Sequence, residues 1–251
     1  MSASAPADPV NPAEPVNLWS ESAWAQRYLR ERDDIPHRVE GFAVLMEVLP
    51  ASPRRVLDLG TGDGYTLGLV RSAYPEAEGV GVDFSAEMLG LARERFGGDA
   101  GIEIVEHDLD RPLPPLGSFE LVVSSFAIHH CVDARKRALY GELYGLLAAG
   151  GTFVNVEHVA SAGAWGEALS DAVMVDSLHA DQRARGGAAT RDEVAARFAT
   201  RPDKAANILA PLETQCAWLR DIGYVDVDCF FKVVELAVFG GRKPEPRIAR
   251  M

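Results

Sequence analysis

The sequence predicts a doubly wound α/β fold: a seven-stranded, mostly parallel sheet closed by an antiparallel C-terminal hairpin. Three observations predict it. Short apolar runs alternate with helical patterns of roughly 10 to 15 residues, a spacing that demands crossover connections because parallel strands cannot be joined by tight turns. Glycines crowd one strand-to-helix turn, VLDLGTGDG. The last two apolar runs, VDVDCFFK and ELAVFGG, lie too close together for a crossover and must pair antiparallel.

Each element follows in order. Residues 1–17 carry four prolines and almost no large apolar groups, which predicts a flexible arm. A single domain is expected over 18–251. It opens with cap helices over 18–50, where SESAWAQRYLRERDD and HRVEGFAVLMEVL show helical spacing until Pro50 and Pro53 stop it. RRVLDLG reads as a strand, GYTLGLVRSAY as a helix, EGVGVDF as a strand, and SAEMLGLARERF as a helix capped by Ser85. IEIVEHDL and FELVVSSFAI read as strands, ARKRALYGELYGLLAAGG as a helix ended by glycine, and TFVNVEHV as the fifth strand. After it the alternation breaks. Residues 160–212 read as helices around a Gly-Gly linker, inserted beside the carboxyl ends of the strands, and are expected to form a lid.

Bulk properties exclude several function classes. A chain of 251 residues with 47% hydrophobic content builds one core. Its net charge of -12 argues against a broad nucleic-acid footprint, which needs a basic face to neutralise phosphates. Cys131, Cys216 and Cys229 are odd in number and lack CxxC spacing, so free thiols in a reducing compartment are expected. No apolar run is long enough to span a bilayer, and the first residues lack a basic start and an apolar secretory core. A cytoplasmic protein is expected, with no membrane partner.

In DLGTGDG, Gly60, Gly62 and Gly64 let the chain turn sharply and approach a ligand, with the amides of the next helix facing it. Asp83 closes the second strand about twenty residues further on, where an acid reaches ribose hydroxyls. Asp108 closes the third. The GxGxG spacing is not the GxGxxG of dinucleotide sites, and Asp58 and Asp63 flank the loop, which suits a cationic ligand better than a diphosphate.

With these residues the sequence resembles the class I S-adenosylmethionine-dependent methyltransferases, whose sheet is Rossmann-like. VLDLGTGDG is similar to their first motif, VGVDFS to the second, EHDLDRPLP to the aspartate loop, and FELVVSSFAIHH with LLAAGGTFVNVEH to the fourth and fifth strands. The resemblance covers roughly 40–160 and 212–241. It implies S-adenosyl-L-methionine as cofactor, with Asp58 beside the loop and Gly60, Thr61 and Gly62 against the methionine part. Asp83 would bond the ribose, and Phe84 or Met88 would cover the adenine. Asp108 would meet the adenine amino group with Leu109 beside the ring, and Ser124 or Ser125 would lie under the sulfonium. Tyr28 or Arg38, from the N-terminal helices, would bond the carboxylate. DDIPHR and CFFKVVELAVFGG also resemble relatives of the carboxy-S-adenosylmethionine synthases.

Methyl transfer needs a positioned acceptor and, where the acceptor carries a proton, a base. Glu157 and His158 close the fifth strand and His129 follows the fourth, beside His130, so these are the candidate catalytic residues. The competing reading of each is a polar group packed at a strand end. Adjacent histidines diverge on a strand and no HxxxH occurs, so no metal is expected. In the lid, Trp165, Met174, Asp176, His179 and Arg183 follow near-helical spacing as a stripe that packs on the sheet.

The expected function is methyl transfer to an oxygen, nitrogen or carbon of a small-molecule acceptor, without nucleic acid, in an assembly that a homodimer would satisfy. Two rivals stand. A tRNA or nucleotide substrate would be favoured by a basic patch formed by Arg27, Arg30, Arg32, Lys136 and Arg137. A non-catalytic S-adenosylmethionine-binding module would have a blocked acceptor pocket.

Overall fold

The computed structural model describes residues 26–27, 29–30, 32, 35–201 and 206–246; the arm, Tyr28 and Trp19 lie outside the described residues. Seven strands form one sheet in the order β3-β2-β1-β4-β5-β7-β6. These are β1 (Arg55–Leu59), β2 (Glu78–Asp83), β3 (Ile102–Glu106), β4 (Phe119–Ser125), β5 (Leu147–His158), β6 (Val225–Val233) and β7 (Leu236–Arg242). Pairing is parallel from β3 across to β5, while β7 runs antiparallel to both β5 and β6. The doubly wound sheet and its antiparallel end agree with the sequence reading.

Seven described helices surround it: α1 (Arg38–Glu47), α2 (Tyr65–Ala73), α3 (Ala86–Phe96), α4 (Asp133–Leu146), α5 (Ala164–Ala184), α6 (Arg191–Ala199) and α7 (Leu212–Ile222). The central strands are apolar on both faces because both are covered. On one face Leu57, Leu59, Val122 and Phe153 pack with Leu139 and Tyr140 of α4 and Leu219 of α7. On the other, Val56, Leu121, Val154 and Val156 pack with Phe42 and Leu45 of α1 and Leu67 and Val70 of α2. Several helix ends follow local chemistry. The Ser85 hydroxyl accepts the Met88 N–H, and Thr190 with Glu193 forms a capping box on α6.

Two boundaries differ from the sequence reading. Strand β5 starts at Leu147 rather than Thr152, since Leu147 pairs with Phe119 before a register shift, and Gly150 and Gly151 bond Lys243 of the far strand end. Glycine there extends a strand edge instead of ending a helix. Strand β4 stops at Ser125 because Phe126 takes φ 51° and leads into a short 3-10 turn, Ile128–His130. That turn brings two histidines to the sheet's carboxyl edge.

The chain reverses its direction of travel across the sheet between β1 and β4, and the carboxyl ends on either side of that switch point face one cleft. Helices α5 and α6 form the opposite wall, joined through the predicted Gly186-Gly187 linker. Residues 206–211 carry the chain back to α7. No described helix is long and apolar enough to cross a membrane.

Candidate active site

The cleft has a volume of about 810 Å3. Its nucleoside end is built by the turn after β1. Gly60, Gly62 and Gly64 all have positive φ, and a Cβ on Gly60 would lie 2.1 Å from Ala127 Cβ, so the β1 turn and the β4 exit touch through a bare Cα. The turn's own amides are already used. Gly60 and Thr61 donate to Val82 O at 2.8 and 2.9 Å, Gly64 donates to Thr61 O, and Gly62 donates to Asp83 Oδ2 at 2.9 Å. These four amides are therefore not open to a ligand. A pyrophosphate, which wants free N–H donors at such a turn, finds these four committed.

Of the predicted cofactor residues, Gly60, Thr61, Gly62, Asp83, Phe84, Met88, Asp108, Leu109 and Arg38 all line this cleft. The Asp83 carboxylate accepts Gly62 N–H and Ser85 N–H, while burial raises its pKa. Phe84 N–H also bonds this carboxylate, which still keeps acceptor capacity for a hydroxyl donor. Arg38 is buried, its guanidinium 4.7 Å from the Phe42 ring centre, 5.1 Å from that of Phe126 and 5.3 Å from that of Tyr65.

Two predicted cofactor residues are placed elsewhere. Asp58 is wholly buried beneath the turn, where its Oδ2 accepts the Thr61 hydroxyl at 2.7 Å and Leu67 N–H at 3.1 Å. It staples the turn to α2, and burial lifts its carboxyl to about 7. Ser124 points into the sheet and donates to Leu59 O; the next residue, Ser125, faces the cleft, its hydroxyl 2.7 Å from that of Thr66. Period-two alternation decides between them. Asp63 is also not an open acid. Burial would raise its pKa, but bonds from Arg32 at 2.8 Å and Arg95 at 2.7 Å hold it below the usual carboxylate range.

At the other end, the three candidate catalytic residues meet. Glu157 is 1% exposed on the β5 face that looks toward α4, and it does not reach the cleft. It instead accepts main-chain N–H from His129 at 3.0 Å and His158 at 2.9 Å, and lies 2.5 Å from His129 Nδ1. The direct acceptor contact expected of it is not available from this position; its carboxylate meets the cleft-lining His129 instead. His129, His130 and His158 line the cleft, with ring centres 3.9 Å apart for the first two and 5.6 Å for His129 and His158. Burial lifts Glu157 to about 7 and lowers all three imidazoles to about 3; for His129 the Lys136 charge adds to the lowering, and a hydrogen bond between the ring and the Asn207 side chain opposes it. The imidazoles are neutral at physiological pH.

The lid wall turns a different side to the cleft than the predicted stripe. Glu167, Ser170, Asp171, Met174, Leu178 and Gln182 of α5 line it, whereas Trp165 is 84% exposed and Asp176 pairs with Arg191 outside. Only Met174 belongs to both sets. Asn207, Ile208 and Arg201 also reach the cleft and were missed, since no local pattern links them to residues so far back in the chain. Of the five basic residues considered for a tRNA patch, Lys136 is 1% exposed and Arg32 is held by Asp63. Cys131, Cys216 and Cys229 are free thiols. Among the described residues no group of histidine, cysteine, aspartate or glutamate is arranged to hold a metal.

Comparisons with known proteins bear on this cleft. Residues 56–151, from β1 into β5, match the family model of a methyltransferase domain. The chain is 38% identical over 112 residues to demethylmenaquinone methyltransferase of Thermus thermophilus, a match covering 43% of this chain and 49% of that protein. It is 33% identical over 127 residues to trans-aconitate 2-methyltransferase of Rhodopseudomonas palustris, covering 51% and 46%. The chain thus spans about half the length of the curated relatives it matches. In fold it is similar to an O-methyltransferase family protein from Burkholderia thailandensis, with TM-score 0.64, 17% identity, and coverage of 91% of this chain and 62% of that one. Human N-acetylserotonin methyltransferase in complex with SAM gives TM-score 0.60, 16% identity, and coverage of 90% and 57%. A glycine turn with its amides committed, a buried acid at the end of β2 and these matches lead to one conclusion: the chain carries a methyltransferase domain of the class I S-adenosylmethionine-dependent family, with S-adenosyl-L-methionine as its cofactor.

Proposed function

We propose that this protein transfers a methyl group to an acidic hydroxyl oxygen of a small acceptor with an apolar body, using His129 as the general base. The observation that carries this reading is the His129–Glu157 pair at 2.5 Å, with the imidazole at the cleft wall and the carboxylate behind it.

The cofactor-facing residues divide the work. Asp83 would take the ribose hydroxyls, Phe84, Met88 and Leu109 the faces of the adenine, and Asp108 its amino group. Thr61 and the glycines would lie along the methionine part, with Arg38 at its carboxylate and Ser125 beside the sulfur. S-adenosylmethionine, when bound, supplies an electrophilic methyl on a cationic sulfur. The carboxylate of Glu157 holds Nδ1–H of His129, so the other ring nitrogen is free of its own proton and accepts the acceptor's. The acceptor's oxygen–hydrogen bond would break, its proton passing to His129, as that oxygen takes the methyl group from the sulfur, whose bond to the methyl carbon breaks and which leaves as neutral S-adenosylhomocysteine. Asn207, hydrogen-bonded to that ring, marks where the acceptor hydroxyl would join it.

The rest of the chamber supports an acidic acceptor. Arg201, its guanidinium 3.8 Å from the Phe198 ring centre, adds permanent positive charge near His158 and favours an oxyanion. Met174, Leu178, Val194, Phe198, Ile208 and Leu209 offer an apolar wall. The acidic chain and the enclosed cleft both favour a small acceptor over a polynucleotide.

The test is transfer of the tritiated methyl group of S-adenosylmethionine to a panel of phenols, carboxylic acids and amines of matched size. Transfer to the oxygen acceptors is expected, slowed roughly 10²- to 10⁴-fold by His129→Gln. Transfer to amines alone and untouched by that substitution, or cofactor binding without any transfer, would overturn the reading.

A further inference from the structure

Lys136 of α4 is among the largest fully buried side chains of the molecule. A lysine reaches such a position only when its ammonium is bonded on several sides. Here Nζ donates to Asp133 Oδ1 at 2.8 Å and to the main-chain carbonyl of Ile208. Ile208 lies in the return segment 206–211, and three ties of that segment lead to the candidate base or its neighbour His130. Ile208 N–H donates to His129 O at 2.9 Å, His130 Nδ1 lies 3.1 Å from Ala206 O, and the Asn207 side chain bonds the His129 ring. Beyond them Ala160 N–H and the Gln215 side chain both donate to Ala210 O at 3.0 Å. The segment is therefore laced to the 3-10 turn, to α4 and to the end of β5, and Lys136 supplies a charged tie to it.

We propose that Lys136 is a positioning residue: its buried ammonium clamps the segment returning from the lid onto the His129 turn, so that Asn207 meets the imidazole and lid and base are held in one register. This rests on the reading of His129 as base. The charged and titratable groups around that ring are Glu157 and His158 from β5, His130 from its own turn and Lys136 from α4. Of these Lys136 is the permanent cation, and its field disfavours a second proton on the imidazole. The clamp thus has two effects, one mechanical on the return segment and one electrostatic on the ring.

Both are read without an acceptor, so their failure is distinct from failure of the methyl-transfer reading. Protein labelled with ¹⁵N-histidine and saturated with S-adenosylhomocysteine is titrated as wild type, Lys136→Met and Lys136→Arg, with exchange of the Ile208 amide followed in parallel. Lys136→Met should raise the pH at which the His129 ring resonances move by about one unit and speed Ile208 exchange at least tenfold. Lys136→Arg should restore the ring titration. Were Lys136→Met to fold and lose stability with the ring titration unmoved, or were Lys136→Arg to behave like Lys136→Met, the residue would be a structural anchor alone and the proposal would fall. Should Lys136→Met not fold, Asp133→Asn supplies the second variant: releasing Nζ from its carboxylate should speed Ile208 exchange, and unchanged exchange would overturn the clamp.

Discussion

The nucleoside end and the acceptor end of the cleft are built by different means. At the nucleoside end the shaping groups are main chain, and their partners are near in sequence: Gly60 and Thr61 on Val82, Gly62 on Asp83, Thr61 on Asp58. At the acceptor end the groups are side chains drawn from distant elements, with His129 from the turn after β4, Glu157 from β5 and Asn207 from the return segment. A site made of local main chain is rigid and reads out in motifs. A site made of distant side chains depends on the fold being right everywhere else, and its residues are legible only as candidates.

The difference predicts that damage to the two ends separates cleanly. The largest effect falls on turnover. His129→Gln should lower kcat by roughly 10²- to 10⁴-fold and leave affinity for S-adenosylhomocysteine within about twofold, as read by transfer kinetics and calorimetry. Gly60→Ala should do the reverse. Its Cβ would collide with Ala127 in a backbone region that side chains avoid, so a stability loss of about 3 kcal/mol and weakened cofactor binding are expected from thermal unfolding and titration. Asp83→Ala removes an acceptor for the Gly62 and Ser85 amides and, on the proposed reading, for the ribose; S-adenosylhomocysteine affinity should fall about 10- to 100-fold with kcat at saturation nearly kept.

A pH profile sharpens the contrast. The Glu157 carboxyl, raised to about 7, must lose its proton to hold Nδ1–H of His129, whereas the imidazole, lowered to about 3, is already unprotonated. Hence kcat/KM should rise with pH through about 7 and then level, the apparent value belonging to the pair. Glu157→Gln should abolish that limb, while cofactor affinity shows none of it. The smallest effect concerns the lid: Thr190→Ala breaks the α6 capping box and should cost about 1 kcal/mol, seen as faster proteolysis within α6.

Particular residues explain how much the sequence made legible. The strands, the glycine turn, the Ser85 cap and the acid ending β2 were readable because each is a local pattern of period, turn chemistry or capping. The choice between Ser124 and Ser125 stayed open in the sequence because alternation fixes which face a serine takes only once the kink at Phe126 is known. Asp58 was misread because an acid beside a glycine turn carries no mark of whether it faces ligand or braces the turn. The phase of α5 failed for a related reason, since a helix between a cleft and solvent carries polar residues on both sides. Lys136 entered the sequence reading only as one candidate for a basic patch, because burial of its ammonium depends on the Ile208 carbonyl, supplied from far along the chain.

The central claim is that His129 works on the acceptor and not on the cofactor. Single-turnover transfer of a labelled methyl group by His129→Gln protein saturated with S-adenosylmethionine tests it most directly. A first-order rate at least roughly 10²-fold below wild type, with cofactor occupancy intact, is the predicted result; a wild-type rate, or a loss traced entirely to cofactor affinity, would contradict it.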